Sequence, residues 1–497
     1  MRVSRPVSKA AFPYIRPESA PDPALLAVSP AAVRALDLDP DAPSTDEFLQ
    51  VFSGNQLLDN TRPWALCYAG HQFGLFAGQL GDGRAVSLFE AETPDQRWEL
   101  QLKGAGRTPY SRFGDGYAVL RSNVKQPETS AIVTRMAPSW LRIGNFEIFY
   151  SRNDMNNVRK LADYVWEELF QATPDASARP EENRYAGVLR NVARRTATMV
   201  AEWQALGLTI DYGPFQFLDF YDPANICNHS DDAGQYAFKR QPTVCIFNLF
   251  KLAVPLFELM GAGDKADTIV FSGEDVTDEA TRQAYRDAGK AHASAMLSEE
   301  FSDWFMEHLL HTMRNKLGIT SNGDDAGDMN GIVIPLLDWA TEYHVDLTRF
   351  LRSLSDYAVT DQGEAVDAEN AKLQVETRDA SRAAEGREAL LPWLAIYRHR
   401  VLQNTNDTNE ARRQRMNGVN PRFLLRNWIL QEVTQAFETQ SEKEATSLLQ
   451  ACLDASLHPF KEKYEDERVE RWVTSPVPEV SAERGGGKER RNKELKR

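Results

Sequence analysis

The 497-residue sequence has few residues of the types that form disulfide frameworks or zinc sites. It contains four cysteines and eight histidines. The cysteines are Cys67, Cys227, Cys245 and Cys452, with no CxxC pair and no His/Cys cluster at zinc spacing. We therefore expect buried, reduced thiols. The sequence also has no uninterrupted apolar run approaching about eighteen residues, so an integral membrane protein is not expected.

The balance of charges excludes another class of protein. A formal net charge of −15 argues against non-specific binding of the whole chain to nucleic acid. An acidic protein can still bind a nucleotide, because a local cluster of cations and a metal ion are enough to hold phosphates. With 42% hydrophobic residues, the composition is typical of a soluble globular protein and compatible with an enzyme.

The most informative segment is a glycine-rich stretch between two strand-like runs. Gly81-Asp82-Gly83-Arg84 is followed about twenty residues later by Lys103, at the end of an alternating run. Glycines let backbone amides approach an anion, and a glycine loop followed by a strand lysine is typical of a kinase-type nucleotide site. The alternative is a plain β-hairpin turn, for which Asp-Gly is a strong signal.

Other charged residues follow in the order of such a site. On the predicted strand, Gln101 and Lys103 share the face opposite Leu100 and Leu102. A second glycine turn, Gly114-Asp115-Gly116, comes next, and then the pair Arg135 and Arg142, whose spacing allows both to reach one polyphosphate. Finally, Asp211-Tyr212-Gly213 ends an apolar run in the form of a kinase metal-binding Asp-x-Gly.

The organisation of the chain predicts an α+β fold of the protein-kinase-like type, with a strand-rich small lobe and a large helical lobe. We expect an irregular N-terminal segment over 1–55, a nucleotide-binding lobe over 56–150, a helical lobe over 151–475 and a disordered basic tail over 476–497. The predicted strands are Ala85–Glu90, Trp98–Lys103, Ala131–Arg135 and Phe146–Tyr150. Among the predicted helices, one is expected to begin at the cap Asn420-Pro421.

Several long motifs resemble those of one known family, the selenoprotein O family (SelO, also YdiU). They are YAGHQFGLFAGQLGDGRA, ELQLKGAGRTPYSRFGDG, AIVTRMAPSWLR, LTIDYGPFQFLD, ICNHSD and VNPRFLLRNW. The resemblance extends over nearly the whole chain. It implies a protein-kinase-like fold that binds ATP in a flipped orientation and transfers AMP to Ser, Thr or Tyr hydroxyls of proteins. In eukaryotes the family is mitochondrial and linked to redox homeostasis, so a mitochondrial location is implied, or a cytoplasmic one for a bacterial protein.

The resemblance also implies a set of ATP-binding residues, with Mg²⁺ or Mn²⁺ held by Asp211. The residues that match the family's nucleotide contacts are Gly81, Gly83, Arg84, Lys103, Asp115, Gly116, Arg135, Arg142 and Asp211. Cys227 matches a cysteine that the family links to redox chemistry, for which Cys452 is an unsupported partner.

The chain departs from the family at two internal positions. After Asn123, the helix with the glutamate that pairs with the lysine is missing, and Glu128 does not replace it. Between Ala205 and Leu206, a segment with the catalytic-base aspartate and a metal-binding asparagine is missing, so no catalytic base is assigned. The tail also lacks the family's terminal cysteine or selenocysteine motif.

Two interpretations of these losses stay open. The chain is either an incomplete gene model or splice form of an active adenylyltransferase, or a non-catalytic ATP-binding scaffold. Loss of a covering helix would expose apolar sheet surface at roughly 25 cal/mol per Å², which favours the first. Protein-kinase activity is a third, weaker alternative.

Overall fold

Helices and small antiparallel sheets make up the structure of this chain. The computed structural model describes residues 5–7, 10–72, 74–112, 114–117, 132–170, 183–210, 215–228, 230–359, 373–404 and 407–478. Their mixture of helices and small sheets confirms the α+β class. The predicted basic tail lies almost wholly outside the described residues.

The described strands form three antiparallel sheets. In the first sheet, β1 (Cys67–Gln72) pairs with β2 (Leu75–Gly81). The second sheet has the order β3-β4-β5, and its strands are Ala85–Glu92, Arg97–Lys103 and Val133–Ala137. The third pairs β6 (Leu208–Ile210) with β7 (Phe215–Phe217).

The helices are concentrated after residue 140. They are α1 Pro30–Ala35, α2 Asp46–Phe52, α3 Ile143–Ser151, α4 Met155–Tyr164, α5 Arg184–Leu206, α6 Gln241–Gly261, α7 Glu279–Ala295, α8 Phe301–Leu317, α9 Asp325–Asp328, α10 Ile334–Tyr343, α11 Leu347–Leu354, α12 Ala383–Leu402, α13 Asn409–Val419, α14 Asn427–Thr439, α15 Glu442–Leu457 and α16 Glu467–Thr474. The chain divides into two units. Unit 1 comprises Met1–Ala193, Phe247–Ser298 and Phe437–Gln440, and unit 2 comprises Arg194–Ile246, Glu299–Ala436 and Ser441–Arg497.

In unit 1, strand β4 carries apolar and polar residues on alternate faces. Leu102 is fully buried with Leu88 and Ala105. On the other face, Gln101 is also buried, and Lys103 is half-buried. The alternation predicted for this strand is therefore confirmed, and it puts Gln101 and Lys103 on one face.

Unit 2 has a helical core rich in aromatic residues. The ring centroids of Trp339 and Phe350 lie 4.9 Å apart, and Trp393 stacks on Tyr397 at 5.1 Å. All four side chains are buried. Such pairs add packing energy beyond the area that they bury.

The prediction of a strand at Phe146–Tyr150 is wrong, because this segment belongs to helix α3. The side chain of Asn145 accepts a hydrogen bond from the backbone N–H of Arg142 at 2.7 Å and donates one to the carbonyl of Cys67 at 2.8 Å. The helix is then buried against β1, where a side chain at Gly144 would lie 2.0 Å from the carbonyl oxygen of Ala69. Tertiary packing outweighs the β-propensity of the aromatic and β-branched residues.

The predicted helix start at Asn420-Pro421 is also wrong. Asn420 ends helix α13, and the next helix begins at Asn427. The Asn420 side chain donates to the carbonyl of Lys316 at 2.8 Å and accepts from the Lys316 ammonium at 3.3 Å. Because the Asn420 side chain is engaged in this buried long-range pair, it is not available to cap the start of a helix.

One helical stretch among the described residues meets the length and composition of a membrane span. It is Phe238–Gly261, and half of it is buried within the protein, as in a core helix. The expectation that no segment approaches bilayer length therefore needs this exception. A single helix of this kind is weak evidence for a membrane span, because the core helix of a soluble protein can have the same length and composition.

Candidate functional site: a cation cluster on the second sheet

The glycine loop Gly81–Arg84 connects strands of two different sheets, because β2 pairs with β1 whereas β3 pairs with β4. The alternative of a simple β-hairpin is therefore wrong. Gly81 has a φ of +155°, and a Cβ there would lie 2.3 Å from the ring of Tyr110. Glycine is needed at this position to let Tyr110 pack on the backbone.

Asp82 is the anchor of this loop. Its side chain accepts a hydrogen bond from the backbone N–H of Leu66 at 3.1 Å, and its own N–H donates to the Leu66 carbonyl at 3.0 Å. Its backbone carbonyl accepts the hydroxyl of Thr108 at 2.6 Å. Burial raises the pKa of the Asp82 carboxyl, and nearby Arg142 opposes this shift.

Lys103 lies at the end of β4 among other cations. The backbone N–H of the next residue, Gly104, donates to the carbonyl of Arg84 at 2.7 Å, which ties the glycine loop to the end of the strand. Burial lowers the pKa of Lys103, and Arg135, Arg84 and Arg142 lower it further. None of the groups that shift this pKa is a carboxylate. The structure thus brings four of the sequence-predicted residues into one positively charged cluster.

Arg135 and Arg142 are each held against an aromatic ring. The Arg135 guanidinium lies 4.5 Å from the ring centroid of Trp140, and that of Arg142 lies 5.0 Å from the ring of Tyr68. Burial and Arg142 lower the pKa of Arg135. Its Nε is buried and has no hydrogen-bond partner within the part of the chain that the structure describes. Arg135 therefore keeps one donor that no described group uses, on a guanidinium of the kind that binds phosphate.

Asp115 and Gly116 lie in a loop packed on the turn after Lys103. The carbonyl of Gly116 accepts the N–H of Gly106 at 3.2 Å, and a Cβ at Gly116, where φ is +90°, would lie 2.3 Å from the Arg107 nitrogen. Asp115 is exposed and accepts the backbone N–H of Tyr117 at 2.9 Å. The loop thus packs on the residues that follow Lys103 in the chain, and the Asp115 carboxylate is accessible to solvent.

The predicted metal ligand Asp211 lies outside the described residues, as do Glu128 and the junction after Asn123. Within the described ranges, no group of three or more His, Cys, Asp or Glu side chains is placed to hold a metal ion. Asp222, which follows β7 in the chain, pairs with Arg378 at 2.9 Å.

The redox expectation for the cysteines gains no support. All four cysteines are free thiols, so no disulfide joins Cys227 to Cys452. Burial raises the pKa of Cys452 to about 11 and that of Cys245 to about 12, which keeps both protonated and unreactive.

The sequence interpretation missed a second polar pair in unit 1. Nδ1 of His71, on β1, lies 2.9 Å from a carboxylate oxygen of Glu147, on α3. Burial raises the pKa of Glu147 to about 7, with Lys251 opposing the shift, and lowers that of His71. The prediction of a strand at Phe146–Tyr150 concealed this pairing, because Glu147 lies in helix α3.

The sequence interpretation also gave no role to Gln101 or Trp140, both of which contact Arg135. Gln101 shares the face of Lys103 in the strand alternation, so that pattern was the available signal. Trp140 lies five residues after Arg135, and nothing in its spacing distinguished it from a core aromatic residue.

Comparison with known proteins identifies the family. The family model described as "Protein adenylyltransferase SelO" matches residues 5–127 and 125–454. The chain belongs to the SelO family. A protein nucleotidyltransferase YdiU of Ralstonia nicotianae is 38% identical over 451 residues, covering 82% of this chain and 80% of that protein. A mitochondrial protein adenylyltransferase SelO of Schizosaccharomyces pombe is 34% identical over 476 residues, covering 85% and 82%.

The alignments also bear on the missing internal segments. The match with the YdiU protein of Cupriavidus pinatubonensis, which is 35% identical, extends over 508 positions, more than the 497 residues of this chain. That relative therefore has internal residues that this chain lacks. The two family-model matches meet at residues 125–127, next to the junction after Asn123. A missing internal segment produces such a split.

Proposed function

We propose that this chain is a protein adenylyltransferase that binds ATP at the cation cluster and directs AMP to Ser, Thr or Tyr hydroxyls of proteins. Membership of the SelO family and the names of the relatives support AMP transfer. The observation that carries the proposed site is that Arg84, Arg135 and Arg142 all lie close enough to Lys103 to lower its pKa. Such a cluster is suited to a polyphosphate chain.

In this proposal the chain contributes mainly binding and charge neutralisation. The acceptor hydroxyl oxygen forms a bond to the α-phosphorus, the bond from that phosphorus to the bridging oxygen breaks, and pyrophosphate leaves with the electron pair. Lys103, Arg135 and Arg142 stabilise the negative charge of the leaving pyrophosphate. The hydroxyl proton passes to solvent water, because the family's base aspartate has no counterpart in this sequence, and transfer is slow for that reason.

The metal ion enters the proposal with the nucleotide, as MgATP or MnATP. Asp211 is the residue that we expect to hold it, by resemblance. A divalent cation would neutralise phosphate charge. Three expectations stay predictions: the kinase-like arrangement of lobes, the domain boundaries near residues 55, 150 and 475, and the mitochondrial location. The name of the Schizosaccharomyces pombe relative supports the mitochondrial location.

Labelled ATP tests the proposed reaction. The protein is incubated with candidate protein substrates and ATP labelled at the α- or the γ-phosphate. We expect α-label on protein and no γ-label, at a low rate because the base is missing. Transfer of γ-label would indicate a protein kinase instead, and transfer of neither label, with ATP bound, would indicate a binding scaffold.

A matched pair of variants assigns that activity to the site. Lys103→Ala should abolish α-label transfer. Arg97→Ala, at the other end of the same strand and about 20 Å away, should leave it unchanged, because Arg97 contacts Tyr164 and Glu90. If Lys103→Ala transferred label as well as the wild type, the proposed site would be wrong.

A further inference from the structure

Arg142, one of the two aromatic-backed arginines, pairs with a buried carboxylate, that of Asp82. Its side chain is 2% exposed, and one of its oxygens lies 3.5 Å from the Arg142 guanidinium. The Arg142 side chain is 41% exposed, so one end of this ion pair is fixed in the protein and the other faces outward. A carboxylate buried in this way stays in place while a ligand binds.

Gln101 extends the same anchor to the second arginine. Its amide nitrogen donates to the other Asp82 oxygen at 3.3 Å, and its amide oxygen accepts from the Arg135 guanidinium. The antiparallel register puts Gln101 directly opposite Arg135. Gln101 has no exposed surface, so this relay has one available geometry.

The aromatic platform behind Arg135 is fixed as well. The indole N–H of Trp140 donates to the carbonyl of Glu99 at 3.0 Å, and its backbone N–H donates to the Glu99 carboxylate at 3.2 Å. Ser87 donates to the same carboxylate at 2.8 Å. Arg135 is therefore held on one side by a ring and on another by the Gln101 amide.

We propose that Asp82 is a positioning residue that holds Arg142 directly, and Arg135 through Gln101, in the orientation that receives the phosphates of ATP. This inference rests on the proposed function of the cluster. The proposed positioning role predicts a change in ATP affinity opposite in sign to the change expected from charge alone. A carboxylate next to a polyphosphate site repels the ligand, so its removal should strengthen binding if charge were its only effect. Loss of a positioning residue should weaken binding instead.

The test is a double-mutant cycle on ATP affinity, measured by titration calorimetry. Asp82→Asn keeps the shape of the side chain and removes its charge. We expect this variant to bind ATP about tenfold more weakly, as for loss of one well-oriented charge-assisted contact. In an Arg142→Met background the same substitution should have a smaller effect, because Arg142 is the arginine that Asp82 contacts directly. Thermal unfolding is followed in parallel to check that each variant is folded.

Gln101→Met is an independent variant that leaves every charge in place. It cuts the link from Asp82 to Arg135, so we expect weaker ATP binding, and little further effect in an Arg135→Met background. The matched control is Asp163→Asn, which breaks another carboxylate–arginine pair of unit 1, with Arg184 at 2.8 Å. This control should bind ATP as the wild type does.

The outcomes separate the inference from the proposed function. If the wild type bound neither ATP nor inorganic tripolyphosphate, both would fail. If the wild type bound ATP and Arg142→Met weakened binding, but Asp82→Asn left it unchanged or strengthened it, only the inference would fail. Fully additive effects on ATP affinity in both cycles would also overturn the inference. A merely structural role of Asp82 or Gln101 would weaken binding by the same factor whether or not the arginine is present.

Discussion

Asp82 and Arg142 form an ion pair at 3.5 Å in which the carboxylate is buried and the guanidinium is two-fifths exposed. The pair joins the glycine loop to Arg142, the residue immediately before helix α3. Its consequence is that the protein itself orders the cationic surface that we propose for the phosphates of ATP. Such preorganisation lowers the entropy that nucleotide binding must overcome.

The affinity for ATP should depend on pH through Lys103. Its pKa is held below the ordinary value of 10.5 by burial and by three arginines. Phosphate binds the protonated form, so affinity is complete below the lowered pKa and falls as pH rises through it. Lys103→Arg should remove this fall, because guanidinium stays protonated. Calorimetric titration between about pH 7 and pH 10 checks it, and an identical profile for both proteins would contradict it.

Replacement of Gly81 by alanine should destabilise unit 1 by about 2–4 kcal/mol, since the new Cβ collides with the Tyr110 ring at a positive φ. Gly74→Ala is the matched control. Gly74 has a φ of +83° but no atom within 4 Å of the added Cβ. It should cost about 1 kcal/mol, from backbone strain alone. Urea unfolding measures both, and equal losses would show that the Tyr110 contact is unimportant.

The buried pair of Glu147 and His71 predicts a pH-dependent stability. The pKa of Glu147 is raised by burial from 4.5 to about 7 in the folded protein. The folded state therefore binds the proton more tightly than the unfolded state, and stability is lost as pH rises from about 4.5 to about 7.

Glu147→Gln tests this dependence. The variant should be about 1–3 kcal/mol more stable than the wild type at pH 8, and the difference should shrink to less than about 1 kcal/mol near pH 5. The exposed Glu388→Gln serves as the control, with no difference expected at either pH. Chemical denaturation at the two pH values measures the difference in the free energy of unfolding between variant and wild type. A difference that was larger at pH 5 than at pH 8 would contradict the prediction.

In unit 2, one buried aspartate holds two arginines, and its loss should be costly. Arg314 and Arg400 both donate to Asp328, at 2.7 and 2.6 Å. Asp328→Asn should destabilise the protein by about 3–5 kcal/mol, because two buried guanidinium groups lose their counter-ion. Asp325→Asn removes an exposed partner of the same Arg314, at 2.7 Å, and should cost less than about 1 kcal/mol. Similar losses for the two variants would refute this account of burial.

The missing segments predict what the gene contains. We expect coding sequence for the helix after Asn123 and for the base-bearing segment between Ala205 and Leu206 in the genomic DNA at these junctions. Restoring both segments should raise the rate of α-label transfer. Uninterrupted genomic sequence across both junctions would instead favour a natural chain that binds ATP with little turnover.

Sequence-based prediction succeeded where the interactions that determine the structure are local in the chain, and it failed where they join distant residues. Helix α2, Asp46–Phe52, depends on a local signal, because the Thr45 side chain caps it by accepting the N–H of Phe48. The faces of strand β4 followed from simple alternation. By contrast, helix α3 depends on a contact from Asn145 to Cys67, 78 residues away in the chain, which no local pattern carries.

The candidate site shows the same division. Motif order and spacing predict Lys103 and the two arginines as one group, and the structure brings them together. The anchoring role of Asp82 was not, because it depends on Leu66 and on an oxygen shared with Gln101, contacts that exist only once two sheets are packed. The glycine at 81 was expected to admit a phosphate, whereas its neighbour in the fold is the Tyr110 ring.

The central claim, that the cation cluster holds the phosphates of ATP, is tested most directly by a structure with a non-hydrolysable ATP analogue bound. We expect phosphate oxygens within hydrogen-bonding distance of Lys103, Arg135 and Arg142, with the Arg142–Asp82 pair retained. A nucleotide bound elsewhere, with these three side chains in their present contacts, would contradict the account.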